Sequence, residues 1–229
     1  MLAYADDVTV FAASRNQASA MINEMMTALE GINLQLLPEK CSARWSKAPS
    51  GSATANISLG NKRIPINDAL VILGQEISFR QDSMHAFKHR LRQAWKTAHA
   101  NTTLLRSTIM PHGARIRLLQ SLVKPSLLYG SETWKLTLAL LANIFGAERA
   151  FSRWCLKITN RAGSANDADG DLAAWIQWQA ESARQLAKTT SKNNIERWHV
   201  TAIRLYWQWA GHAARKAGTP SHTAATVPI

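Results

Sequence analysis

Cysteine is nearly absent from this 229-residue chain, which has Cys41 and Cys155 and no others. Two thiols so far apart make neither a disulfide framework nor a zinc site, which fits a reducing compartment. Long apolar runs are missing as well. The stretch LTLALLANIFGA at 136–147 is too short to span a bilayer and reads as a buried helix. No signal peptide is visible at the N-terminus, so the chain is expected in the nucleus or cytoplasm and not secreted, with the Asn56 and Asn101 sequons unused. No internal repeat is evident. Acids are scarce: 15 Asp and Glu stand against 27 Lys and Arg, a formal charge of +12 and a pI near 10.2. The shortage is local, because residues 1–79 hold six Lys and Arg against seven Asp and Glu, while residues 80–229 hold 21 against 8. Such asymmetry points to a polyanion partner, since each phosphate neutralised releases counterions. For any single residue, solvated surface charge explains the same observation.

What the chain does have begins at once, with MLAYADDVTVFAAS. Leu2 and Tyr4, then Val8, Val10 and Ala12, alternate with their neighbours, so two short strands flank a hairpin tip at Ala5-Asp6-Asp7. Carboxylates on a tight hairpin can grip a hard cation such as Mg²⁺. Asp is also a common turn residue, so the acids alone leave both readings open. Ser14 is placed to cap a helix whose apolar positions Ala18, Met21, Ile22, Met25, Leu29 and Ile32 recur at helical spacing, with Gly31 near its end. Beyond it, Ile57 and Leu59, a Gly60-Asn61 turn, and Ile64 and Ile66 predict a hairpin. Leu70 to Leu73 predict a further strand that ends at Gly74, where a glycine also serves as a bulge.

In this order, these stretches resemble a reverse transcriptase of the non-LTR retrotransposon type. Tyr4-Ala5-Asp6-Asp7 resembles its motif C, GINLQLLPEKCSARW its motif D, and VILGQEIS its motif E, the primer grip. The resemblance implies that Asp6 and Asp7 hold Mg²⁺. It also implies that Lys40 protonates the departing pyrophosphate as a general acid, and that Leu73 and Gly74 let backbone approach the primer. A solvated loop lysine is the other reading of Lys40.

The second part reads as helical. Ser83 is placed to cap a helix with Phe87, Leu91, Ala94, Trp95 and Ala98 inward, and with His85, Lys88, His89, Arg92, Lys96 and His99 in an outward stripe free of acids. Solvated faces normally mix signs, so the stripe suits a nucleic-acid backbone. His85 and His89 have the spacing of a metal-binding couple, but no third ligand is near. Ile116, Leu119, Leu122 and Val123 predict another helix, and Pro125 either ends or kinks it or starts the next one. These helices resemble the family's thumb, which clamps an RNA–DNA template–primer duplex, and Arg115, Arg117 and Lys124 suit its phosphates. Leu140 to Ile158 pattern a further helix with Arg149, Arg153 and Lys157 on its polar side. Trp175, Trp178, Trp198, Trp207 and Trp209 offer either a base-stacking platform or a packed core. The core is favoured because Trp198, Ala202, Leu205 and Trp209 recur at helical spacing. WQWAGHAAR resembles a Trp-x-Gly-His-x-x-Arg segment that follows the thumb in related elements.

Asp167 to Asp171 misplaces the Gly and Glu of a calcium loop. The expected fold class is therefore α+β: a partial polymerase palm over 1–79, a helical thumb over 80–165, a helical extension over 166–216 and a loose tail over 217–229. The family's motif A and fingers precede motif C. Met1 thus reads as an internal methionine of a longer polymerase, and the expected Mg²⁺ site is incomplete, because two-metal transfer needs carboxylates from more than one strand. A stand-alone basic nucleic-acid-binding module and a non-functional pseudogene product are the alternatives.

Overall fold

The computed structural model describes residues 2–4, 7–45, 57–59, 62–67, 70–77, 83–158 and 172–216. It is mainly helical with short antiparallel strands, an α+β chain, and it divides into two units, Met1–Asp82 and Ser83–Ile229.

In the first unit, β1 (Leu2–Tyr4) pairs antiparallel with β2 (Asp7–Thr9), in the register Leu2 to Thr9 and Tyr4 to Asp7. Helix α1 (Arg15–Glu30) follows. The Ser14 hydroxyl accepts from the Gln17 amide at 3.2 Å, and the Gln17 side chain accepts from the Ala13 amide at 2.8 Å. The Gln17 amide, which the helix leaves unpaired, and the Ala13 amide just ahead of the cap are satisfied in this way. A 3₁₀ turn spans Pro38–Lys40. Strands β3 (Ile57–Leu59) and β4 (Lys62–Ile64) pair with Ile57 opposite Ile64 and bury both against Ala18 of α1. The predicted third strand is a hairpin. β5 (Leu70–Ile72) turns at Leu73-Gly74 into β6 (Gln75–Ile77), with φ of 48° at Leu73 and 76° at Gly74. Positive φ at both central residues matches the right-handed strand twist, so Gly74 makes a turn and not a bulge.

The second unit packs helices around one apolar core. Helix α2 (Met84–Ala100) lies on α4 (His112–Leu128), with the short α3 (Thr102–Leu105) between them in sequence. Phe87, Ala94 and Ala98 of α2 meet Ile116, Leu119, Val123 and Leu127 of α4. Each such large side chain contributes roughly 1.5–3 kcal/mol when fully buried. Helix α4 runs through Pro125 to Leu128, and Gly130 follows in the left-handed conformation (φ 73°). Helix α5 (Leu138–Leu156) starts on Thr137, whose hydroxyl accepts from the Leu140 amide, and ends at Lys157 with φ 59°. Helices α6 (Leu172–Lys192) and α7 (Trp198–Lys216) join the same core through Leu186, Trp198 and Ala202. Ser83 stands at the α2 N-terminus, but its hydroxyl accepts from the Lys135 amide at 2.7 Å instead of capping the helix. No helix among the described residues is long and apolar enough to cross a membrane.

Candidate nucleic-acid interface

The candidate catalytic residues sit on three separate elements of the first unit. Asp7 opens β2 opposite Tyr4, and both are exposed. Asp6 lies outside the described residues, as do the Asp167 to Asp171 loop and the 217–229 tail. Lys40 is exposed at the end of its 3₁₀ turn. Leu73 and Gly74 are exposed at the β5–β6 turn, where the backbone can be approached from outside. No group of three His, Cys, Asp or Glu able to hold a metal forms among the described residues. Asp7 is the described carboxylate of the pair, and Mg²⁺ is commonly held by one or two carboxylates together with substrate phosphates and water.

Along the α2 stripe, His85 and His99 are exposed and His89 is half-buried. Lys88, Arg92 and Lys96 are all exposed, and the helix carries no acid. His99, at its end, stacks on Trp95 with ring centroids 5.6 Å apart and meets Trp154 edge-on at 5.4 Å. An outward basic row on a helix whose other face is locked into a core holds three cations in fixed register.

On α4 the three candidates separate. Arg117 is exposed. Arg115 is only 3% exposed, and its Nη1 donates to the Cys155 carbonyl at 2.8 Å, near the end of α5. That carbonyl is one of the last of a helix and needs a donor, so Arg115 ties α4 to the end of α5. Lys124 is half-buried, with Nζ 3.8 Å from Glu196 Oε2, and burial lowers its pKa. Its charge faces Glu196, just ahead of α7. Glu196 is held down to about 2 by hydrogen bonds from Arg204 and Thr201.

Two arrangements escape a reading by periodicity. Glu148, 2% exposed on α5, accepts from Arg197 Nε and from the backbone amide of Trp198, the first residue of α7. A carboxylate on a helix N-terminus meets both unpaired amides and the positive end of the dipole. Trp198 is then fixed by its indole N–H, which donates to Gln120 Oε1 at 2.9 Å. Arg149 and Arg153 both donate to Gln179 Oε1 of α6, at 3.1 and 3.0 Å, and Arg153 lies 4.8 Å over the Trp178 ring. Those arginines fasten α6 to α5. An apolar groove of about 410 Å³ between α2 and α5, lined by Phe87, Leu91, Trp95, Ala147 and Ala150, holds no titratable group. Cys155 is buried and its thiol is pushed up to about 11 by desolvation, so it is inert at neutral pH.

Of the tryptophans on α7, Trp198 is in the core, Trp209 is half-buried and Trp207 is 67% exposed. The packed core is the reading the sequence favours for these tryptophans, and the spacing that puts residues 198, 202, 205 and 209 on one face leaves 207 opposite.

The chain is 27% identical over 223 residues to a putative uncharacterized transposon-derived protein of Caenorhabditis elegans, a match that covers 94% of this chain and 71% of that protein. No protein-family model and no solved structure matches. The similarity fits a transposon-related origin for the chain.

Proposed function

We propose that the chain derives from a non-LTR-type reverse transcriptase and that its helical unit binds an RNA–DNA template–primer duplex by its backbone. The observation that carries this reading is the exposed, acid-free row Lys88, Arg92 and Lys96 on α2, in a stretch that holds 21 Lys and Arg against 8 Asp and Glu over residues 80–229. Arg117 extends the set. The transposon-derived relative supports the mobile-element part of the reading. The order of Tyr4-Ala5-Asp6-Asp7, Lys40 and Leu73-Gly74 in the sequence supports the polymerase part. In the parent reaction, Mg²⁺ would sit on Asp6 and Asp7 together with a carboxylate from outside these 229 residues, and would assist RNA-templated DNA synthesis.

Fluorescence anisotropy with a short RNA–DNA duplex across a salt series tests the proposal. Binding should weaken steeply with salt, and replacing Lys88, Arg92 and Lys96 by Gln should lower the log–log slope by about 2–3, near 0.9 per lost phosphate contact. Salt-independent binding, or an unchanged slope in the triple variant, overturns it. Nucleotides, Mg²⁺ and a recessed primer added to the same mixture separate the two halves of the reading. Extension abolished by Asp6→Asn marks a working polymerase centre, whereas binding without extension leaves the duplex-binding unit alone.

A further inference from the structure

We infer that the outer face of α7, centred on Trp207, is a stacking platform for single-stranded nucleic acid, separate from the duplex surface on α2. The inference rests on the nucleic-acid reading above and adds a second ligand class. Trp207 is 67% exposed, which is unusual for a residue that is highly buried on average. The core side of α7 is already filled by Trp198, Ala202 and Leu205, so Trp207 projects from the opposite face.

The surroundings suit a base. Side chains on a helix lean toward its N-terminus, so the surface beside Trp207 is the patch that the side chain of residue 211 would cover. Residue 211 is glycine, and a glycine inside a helix costs about 1 kcal/mol relative to alanine. Arg215 Nη1 lies 3.5 Å from where a Cβ on Gly211 would stand, so its guanidinium folds back over the bare turn. An indole, an uncovered turn and a guanidinium thus follow one another along one face. A base can stack on the indole while the guanidinium meets a phosphate or a second base plane.

Charge selects the occupant. Arg197 and Arg204 are paired with Glu148 and Glu196, and beyond Glu196 the sequence adds Arg215 and Lys216 with no further Asp or Glu. An apolar partner would meet the indole but leave the Arg215 guanidinium beside it without a counter-ion, whereas a polyanion with exposed base faces suits both. A duplex keeps its bases stacked on each other, so the platform requires a single strand.

The test compares an oligo-dT single strand with the RNA–DNA duplex, using wild-type chain, Trp207→Ala, Trp207→Phe and Gly211→Leu. Trp207→Ala should weaken single-strand binding about tenfold or more and leave duplex binding unchanged, while Trp207→Phe keeps most of the affinity. Gly211→Leu retains the indole and every charge but covers the platform, and should match the alanine variant. Trp207 is exposed and Gly211 half-buried, and far-UV circular dichroism checks that each variant keeps its helices. Equal single-strand affinity in wild type and Trp207→Ala overturns the inference and leaves the duplex reading standing. Equal loss on both ligands overturns the idea of a separate platform, and absence of binding to either ligand overturns both readings. Self-association that disappears in Trp207→Ala, with nucleic-acid binding unaltered, reassigns the face to a second copy of the chain.

Discussion

Arginines and lysines that look alike in the sequence have opposite roles here. Arg117 projects to solvent, Arg115 ties the end of α5, and Lys124 is drawn to Glu196. Glu148 is the residue on which most of this organisation converges, because it joins α5 to the start of α7. Removing a buried partner strands the other groups. Glu148→Ala leaves the Trp198 amide unpaired in a buried position and Arg197 without its carboxylate. Arg197 is itself 31% exposed and can recruit water, so the loss should be about 2–4 kcal/mol, below a fully buried pair. Glu148→Gln keeps an oxygen for the Trp198 amide and should cost clearly less. Urea unfolding of the three proteins decides this, and equal midpoints for Ala and wild type would rule out the latch. The helical period showed which face of α4 is apolar, but not what covers its flanks. Those partners, Trp198 on Gln120 and Glu196 on Lys124, come from more than 70 residues further along the chain. Local spacing therefore did not show what Arg115 and Lys124 would meet.

At the scale of elements, the sequence was most legible where a local rule acts alone. Ser14 caps α1 as its position implies, because the bond closes within three residues. Ser83 departs from the same rule, since a backbone amide at Lys135 competes for its hydroxyl. The Leu73-Gly74 turn was hidden because Gln75–Ile77 alternates too weakly to announce a strand. Two helical glycines turn the same contrast into a prediction. A Cβ on Gly146 of α5 would meet nothing within 4 Å, whereas one on Gly113 of α4 would stand 2.6 Å from Asn193 Oδ1. Asn193 cannot swing away freely, because its amide donates to the Thr189 carbonyl at 2.7 Å. Gly146→Ala should therefore raise stability by about 0.5–1 kcal/mol through helix propensity. Gly113→Ala should lose that gain by displacing a hydrogen bond worth about 1 kcal/mol. Thermal unfolding in which both variants rise equally would contradict the close approach of Asn193 to α4.

For the whole molecule, what matters is the imbalance between the two units. Among the described residues, the buried apolar ones of the first unit are Ala18, Ile57 and Ile64, while the core of the second includes Phe87, Leu105, Ile116, Leu119, Phe151 and Trp198. The first unit also exposes large apolar groups, among them Tyr4, Phe11, Ile32, Leu34 and Val71. Its described strands form three two-stranded hairpins, and an isolated hairpin is marginal in water. Local opening free energy follows buried apolar contact, so stability must be unequal along the chain. Hydrogen exchange followed by mass spectrometry should show the amides of α1 exchanging at least about a hundredfold faster than those of α4 and α5. Addition of an RNA–DNA duplex should slow exchange in α2, where the exposed cations sit, more than in α1. Equal protection of α1 and α4 in the free protein would mean that the first unit has stabilising contacts beyond its three buried residues. The exposed apolar surface of its hairpins would then no longer mark the weaker half of the molecule.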